Sequence, residues 1–331
     1  QNNYYYGIYL RYSDGNNIYN NTIQNNYYYE IYLRYSDGNN IYNNTIQNNY
    51  YYGIYLRYSD GNNIYNNTIQ NNYRYGISLY VSSSNNIYSN TFHNGGIFVW
   101  SSYNNTVENN TVNGKPLIYM ENKKDMTIDL PVGQIILVKC KNMEITGQNI
   151  TNIDGAIQLW KTNNTRIYNN VIQNTNYFAG IWIDFSYNNH IYNNILHNGG
   201  INFQYSYNNT VENNTVNGKP LIYLENKENI TINVQAGQII LVRCKNIEIT
   251  GQNITNVWLA IELWEVNLTK IANNTIQNNA FGIFLDSSYN NYIYGNIIKN
   301  NSDGMKLCES INNQINNNTI QNSFFCGIYP W

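Results

Sequence analysis

Apolar residues in this chain fall in short alternating runs divided by polar pairs. In "GIYLRYS" Ile8 and Leu10 share one face while Tyr9 and Arg11 take the other, and in "NNIYNNTIQNN" Ile18 and Ile23 mark two further short segments between asparagines. Period two over such short runs predicts β-strands; a helix needs longer runs at period 3.6. The opening phrase at Gln1 returns from Gln24 and Gln47 almost unchanged. Repetition of this kind describes coils stacked into one body, each touching only its neighbours. The glycine ahead of the "GIYL"-type strand serves as a ruler, from Gly7 through Gly53, Gly76, Gly96, Gly114 and onward to Gly327, with Glu30 in its place once. It marks about 15 coils. A longer repeat overlies the first, because Asn94 to Asn174 recurs as Asn198 to Asn278 at a constant offset of 104 residues.

Three short strands per coil, inward aliphatics and asparagines at the corners predict an all-β, right-handed, single-stranded parallel β-helix. Asparagine suits a corner because it tolerates the left-handed backbone region and its amide bonds to nearby backbone groups. Where Asn20 or Asn21, Asn43 or Asn44, and Asn66 or Asn67 stack, their amides are expected to form a ladder along the axis. The expected organisation is one continuous β-helix over 1–331. It comprises near-identical coils over 1–93, duplicated five-coil blocks over 94–197 and 198–301, and terminal coils over 302–331. At about 4.8 Å per coil, the rod is expected to be on the order of 70 Å long.

The phrases "NNIYNNTIQNN" and "NNTVENNTVNGKPLIYLEN…AGQIILVRCKNIEITGQNITN" resemble the parallel β-helix repeats of the NosD-like, carbohydrate-binding and sugar-hydrolase family, especially versions in archaeal surface proteins. The resemblance covers essentially the whole chain. It implies the β-helix fold and an extracytoplasmic setting, and activities across that family are varied. Fold analogy alone gives no reaction.

Composition narrows the partners. The chain has 72 Asn and 35 Tyr, only 11% charged residues and a net charge of -2. With no run of Lys or Arg it lacks the electrostatic footprint of a nucleic-acid binder, and no segment is apolar enough for a membrane-spanning helix. Both ends fall within repeats, so a leader, cap or anchor is expected outside these residues. Cys140 and Cys244, at matching places in the duplicated block, read as small inward fillers. Cys308 and Cys326 fall at different places in adjacent coils, which leaves a bond between them open.

Candidate chemistry is sparse. Enzymes of the β-helix class need clustered Asp, a Ca²⁺ site or a catalytic base on one face. His93 and His197 are duplicate copies, and His190 lies in "YNNHIYNN"; all three read as turn or surface residues with no recurring carboxylate partner. Asp14, Asp37 and Asp60 repeat beside Arg11, Arg34 and Arg57. The two columns are expected to neutralise each other across the "SDG" turn, with a calcium site as the weaker alternative. Asp184 and Asp286 do not extend that column. Tyr9, Tyr32 and Tyr55, with Tyr12, Tyr35 and Tyr58, predict aromatic columns that either brace the sheet or form a contact wall. Asn104, Asn163, Asn208, Asn267 and Asn300 head glycosylation triplets that also coincide with coil corners.

These features favour a non-enzymatic extracellular or cell-surface structural or adhesive solenoid, needing no cofactor or metal and joining copies of itself end to end into a filament or surface layer. A glycan or cell surface is the other expected partner. A carbohydrate-binding or carbohydrate-processing β-helix is the alternative. Copper delivery in the manner of NosD ranks third, because few His, Met or Cys residues are present and none has ligand spacing.

Overall fold

The computed structural model describes residues 3–175 and 178–330. A coil is a long strand followed by two short ones, as in Tyr29–Arg34, Asn40–Tyr42 and Thr45–Gln47. Each strand pairs in parallel with its counterpart one coil on, in register: Ile8 faces Ile31, which faces Ile54, and Ile18 faces Ile41. The described residues contain no helix. Aliphatic residues of one parity point inward, so Ile31, Leu33, Ile41 and Ile46 are fully buried and meet their repeats above and below. This is the right-handed parallel β-helix the alternation predicts, with about fifteen turns.

The paired asparagines divide two tasks. Asn20, Asn43 and Asn66 adopt φ of 55° and turn the chain, a conformation that Asn tolerates better than other non-glycine residues. The next residue points inward. Asn21, Asn44, Asn67, Asn90 and Asn110 form a column in which each Nδ2 donates to the next Oδ1 at 3.0 Å. Each Oδ1 also accepts the backbone N–H of the preceding column member, for example Asn44 N to Asn67 Oδ1 at 2.9 Å. The buried amides thereby satisfy themselves and the corner backbone.

The stack is not continuous over 1–331. At Asn113 and Gly114, with φ of 50° and 77°, the chain makes a hairpin in which Thr111–Val112 pairs antiparallel with Lys115–Glu121. At Asn217 and Gly218 it repeats the move, with Thr215–Val216 antiparallel to Lys219–Glu225. Three stacks result. The two turnarounds lie 104 residues apart, so the duplication is present, but the physical boundaries fall inside the 94–197 and 198–301 blocks. The last short strands of one stack and the long strands of the next share one 10-stranded sheet. Chain direction reverses while the coil stays right-handed, so the face of that sheet that looks into a core must switch at the hairpin.

That switch explains why Gln134–Val138 is buried on both faces. Ile135 and Leu137 stand in register with Ile157 and Leu159 in the second core. Gln134 and, one coil on, Gln158 face the other way, onto the last long strand of the first stack, Ile97–Trp100. Gln134 accepts the Ile97 N–H at 2.9 Å and donates to the Ile97 carbonyl at 2.8 Å. Gln158 accepts the Val99 N–H at 3.2 Å and donates to the same carbonyl at 2.7 Å. An unpaired strand edge is a liability, and here two side-chain amides cover it. Gln238 makes the same pair of bonds to Ile201 at the second joint, at 2.9 and 2.7 Å.

Candidate binding cleft

Exact repetition fixes what the tyrosine columns can do. Identical rings at one-coil spacing stack face to face: Tyr9 on Tyr32 and Tyr32 on Tyr55 at 5.0 and 5.1 Å, Tyr12 on Tyr35 and Tyr35 on Tyr58 at 5.2 and 5.0 Å. Ring faces are used up inside the column, and edges and hydroxyls are left outward. Tyr32 is buried, whereas Tyr12 is 68% exposed at the outer coil. The columns brace the sheet, and a flat aromatic wall for a ligand is not what they present.

A second set of aromatic rings gathers where the three stacks meet. A cleft of about 680 Å³ runs between Tyr51 and Arg74 of the first stack, Phe178 of the second, and Trp258, Phe281 and Phe325 of the third. Trp258 meets Phe281 edge to face at 83°, as Phe324 meets Phe325 at 86°. Phe324 and Phe325 are 64% and 53% exposed. One wall is a row of corner asparagines, Asn256, Asn278, Asn300 and Asn322, each in the left-handed region. Arg74 and Asp303 are the cleft's charged residues among those described. The Arg74 guanidinium lies 4.8 Å over the Tyr51 ring, and burial pushes the Asp303 carboxyl above its usual range. Trp258 is fixed by its backbone N–H, which donates to the Gly199 carbonyl at 2.8 Å, and by its ring's contact with Phe178 at 4.4 Å.

The other candidates do not converge on this cleft. Asp14, Asp37 and Asp60 are exposed and form no ion pair with Arg11, Arg34 or Arg57 among the described residues. Each carboxylate instead accepts a backbone N–H one coil on, Asp37 N to Asp14 Oδ1 and Asp60 N to Asp37 Oδ1, both at 2.7 Å. The arginines lie over Tyr12, Tyr35 and Tyr58 at 5.2 to 5.5 Å. The expected neutralisation across the turn therefore fails, because each aspartate takes a backbone amide and each arginine lies against a tyrosine of its column. His190 does have a carboxylate partner, Glu212, at 2.8 Å on the surface; His93 and His197 are exposed. All four cysteines are free. Cys326 pairs with Asp303, and Cys308 with Asp286, so the two thiols sit at different heights of the sheet. No three His, Cys, Asp or Glu residues gather as a metal site among the described residues, and no described helix is long and apolar enough to cross a membrane.

Sequence reasoning missed the buried carboxylates at the joints. Asp184 and Asp286 occupy equivalent places, each paired with the joint tryptophan one coil before, Trp160 or Trp264. Burial raises the pKa of both, strongly at Asp184. Glu262, fully buried, stands where the second stack has Gln158. The signal was available as the offset of 104 between "IQLW" and "IELW". None of the three carboxylates lines the cleft.

Coiling, register and inward aliphatics define a right-handed parallel β-helix protein. The chain belongs to the family described as the right handed beta helix region, whose profile matches residues 1–130 and 200–331. A second profile, for the periplasmic copper-binding protein NosD, matches residues 124–234. No curated protein matches the sequence. Similar solved structures include the A-module of the mannuronan C-5 epimerase AlgE4 of Azotobacter vinelandii, at 10% identity over 95% of this chain and 88% of that chain, with a TM-score of 0.26. They also include PfbA, a surface adhesin of Streptococcus pneumoniae, at 12% identity over 87% and 85%, TM-score 0.26. A third is an alginate lyase from Paenibacillus sp. str. FPU-7, at 12% identity over 90% and 79%, TM-score 0.22. Likeness at this level bears on neither activity nor ligand.

Proposed function

We propose that this protein is a non-catalytic, adhesive β-helix of the periplasm or cell surface that grips an extended glycan in the cleft between its three stacks. The observation that carries the reading is the cleft's chemistry. Rings of Trp258, Phe281 and Phe325 and a row of corner asparagines line the same cleft. Sugars offer apolar ring faces and hydroxyl rims, and a site needs both an apolar body and a few convergent polar groups. The extracytoplasmic setting is supported by the NosD profile, which describes a periplasmic protein. Binding without turnover is supported by where the carboxylates lie: Asp184, Glu262 and Asp286 are at the joints and outside the cleft, whose lining holds one carboxylate, Asp303.

Screening the protein against a glycan array, then titrating hits by tryptophan fluorescence, tests this reading. Trp258→Ala and Phe281→Ala are expected to weaken binding at least tenfold while Tyr12→Ala leaves it unchanged. Equal loss from Tyr12→Ala, or release of a modified sugar product, would sink it. Asn104 and Asn208 are exposed corners suited to carry glycans. Asn163 and Asn267 use their amide groups, to Tyr187 N at 2.7 Å and Tyr289 Oη at 3.1 Å, and a sugar on Asn300 would fill the cleft.

Filament growth is the second reading, with copies joining along strands such as Tyr6–Arg11 and Cys326–Pro330, each paired with one neighbour among the described residues. Sedimentation that stays monomeric across a hundredfold concentration range would remove it.

A further inference from the structure

The two joints are copies of one another, and among the positions where they differ one side chain that meets the joined strand changes from an amide to a carboxyl. At the first, Gln158 accepts from Val99 N and donates from Nε2 to the Ile97 and Gly155 carbonyls, at 2.7 and 3.2 Å. At the second, the residue 104 positions on is Glu262, and it faces the matching strand Ile201–Gln204. Its carboxyl accepts from Phe203 N, the counterpart of Val99 N, and from Trp264 Nε1. Its other oxygen, Oε2, is buried without a partner. An amide donates at that place, and a carboxylate has nothing to donate. A carboxylic acid, carrying its proton on Oε2, again presents a donor where Gln158 presents its Nε2.

The surroundings favour the neutral acid. On the neighbouring strand the nearest charged group is Asp286, a like charge, and the Tyr223 hydroxyl lies nearby on the first long strand of the third stack, held by Glu225 at 2.7 Å. Across the joint Tyr205 packs on Trp264 at 5.5 Å, with Asp286, Glu309 and Asp184 near its hydroxyl, all of them acidic. Lys306 is the nearest cation along the column, one strand beyond Phe284, which separates it from Glu262. Burial, with Asp286 adding to it, pushes the Glu262 pKa up to about 8.

We propose that Glu262 is a proton-dependent clasp between the second and third stacks: protonated it closes the joint as Gln158 closes the first, and ionised it lets the joint open. The strand Leu259–Trp264 that bears Glu262 follows directly on Trp258, whose contacts to Gly199 and Phe178 span the same two stacks and form a wall of the cleft. Opening the joint therefore also loosens the cleft, and this second consequence rests on the binding reading above.

The sign follows from linkage. A carboxyl whose folded pKa lies above its open-state value of about 4.3 stabilises the closed joint fully below that value, and the stabilisation is lost as pH rises to about 8. Joint opening is expected to grow about tenfold per pH unit over that window and then level off. Hydrogen exchange by mass spectrometry at pH 6, 7, 8 and 9, corrected for the intrinsic pH dependence of exchange, reads this without any ligand. Peptides covering Ile201–Gln204 and Leu259–Trp264 are expected to lose protection up to about pH 8, while those covering Ile97–Trp100 do not. Glu262→Gln is expected to abolish the difference, and Glu30→Gln, in a distant buried carboxyl, to leave it. Equal protection at pH 6 and pH 9 in the wild-type protein, or the same loss in Glu262→Gln, overturns the proposal. A joint that responds in a protein that binds no glycan upholds the clasp and removes only the binding reading.

Discussion

Two adjacent asparagines should differ sharply in what substitution costs. Asn67 is buried in its column: its Oδ1 accepts from Asn44 N and Asn44 Nδ2 at 2.9 and 3.0 Å, and its Nδ2 donates to Ile41 O, Tyr65 O and Asn90 Oδ1 at 2.9 to 3.0 Å. Asn67→Ala deletes all five bonds. Asn44 Nδ2 keeps the Ile18 and Tyr42 carbonyls, but the Asn44 N–H loses its acceptor. An orphaned buried donor costs about 1–3 kcal/mol and each ordinary bond about 1 kcal/mol net. With partial compensation among the survivors, the total is about 3–5 kcal/mol. Asn66 instead turns the chain at φ 55°, where glycine is at ease, so Asn66→Gly should change stability by no more than about 1 kcal/mol. Urea unfolding followed by far-UV circular dichroism gives both numbers. Equal losses from the two variants would refute the division of labour between the paired asparagines.

Glu30 replaces the ruler glycine in the second coil; its Oε2 accepts from Asn26 Nδ2 at 2.6 Å, Oε1 has no partner, and burial raises its pKa to about 8. Glu30→Gln should therefore stabilise the chain increasingly from about pH 4.3 up to about pH 8, read as a melting temperature whose gain over wild type vanishes in acid. Gln158→Glu should transplant the proton dependence to the first joint, so that the Ile97–Trp100 peptide loses hydrogen-exchange protection above neutral pH; an unchanged profile would deny that the two joints are equivalent.

The fold was legible because alternation, corner asparagines and an exact repeat all point to the same architecture. The break into three stacks was also written in the sequence, in "TVNGKP". Asn-Gly between apolar strands is the strongest short hairpin signal, but Gly114 and Gly218 also fit the ruler's spacing and so passed as coil glycines. The joints were less legible. In "QIILV" and "IQLW" the alternate residues belong to two different cores, and period two gives the faces of a strand without saying what covers the second. The cleft was illegible for a related reason: Arg74, Phe178 and Trp258 come from three stacks, and only the hairpins bring them together.

Exact repetition also limits what a β-helix surface can recognise. A residue repeated at every coil meets its own copy, so tyrosines cover each other's faces and asparagines satisfy each other's amides. Such columns stabilise the body and leave little unspent for a ligand. Unspent groups need a break in the repeat. Here the breaks are the two hairpins and the divergence around them. Trp258, where the copy carries Asp154, and Glu262, where the copy carries Gln158, both belong to the second joint. In a duplicated block, the residues that changed beside a turnaround are thus better candidates for function than those that stayed the same.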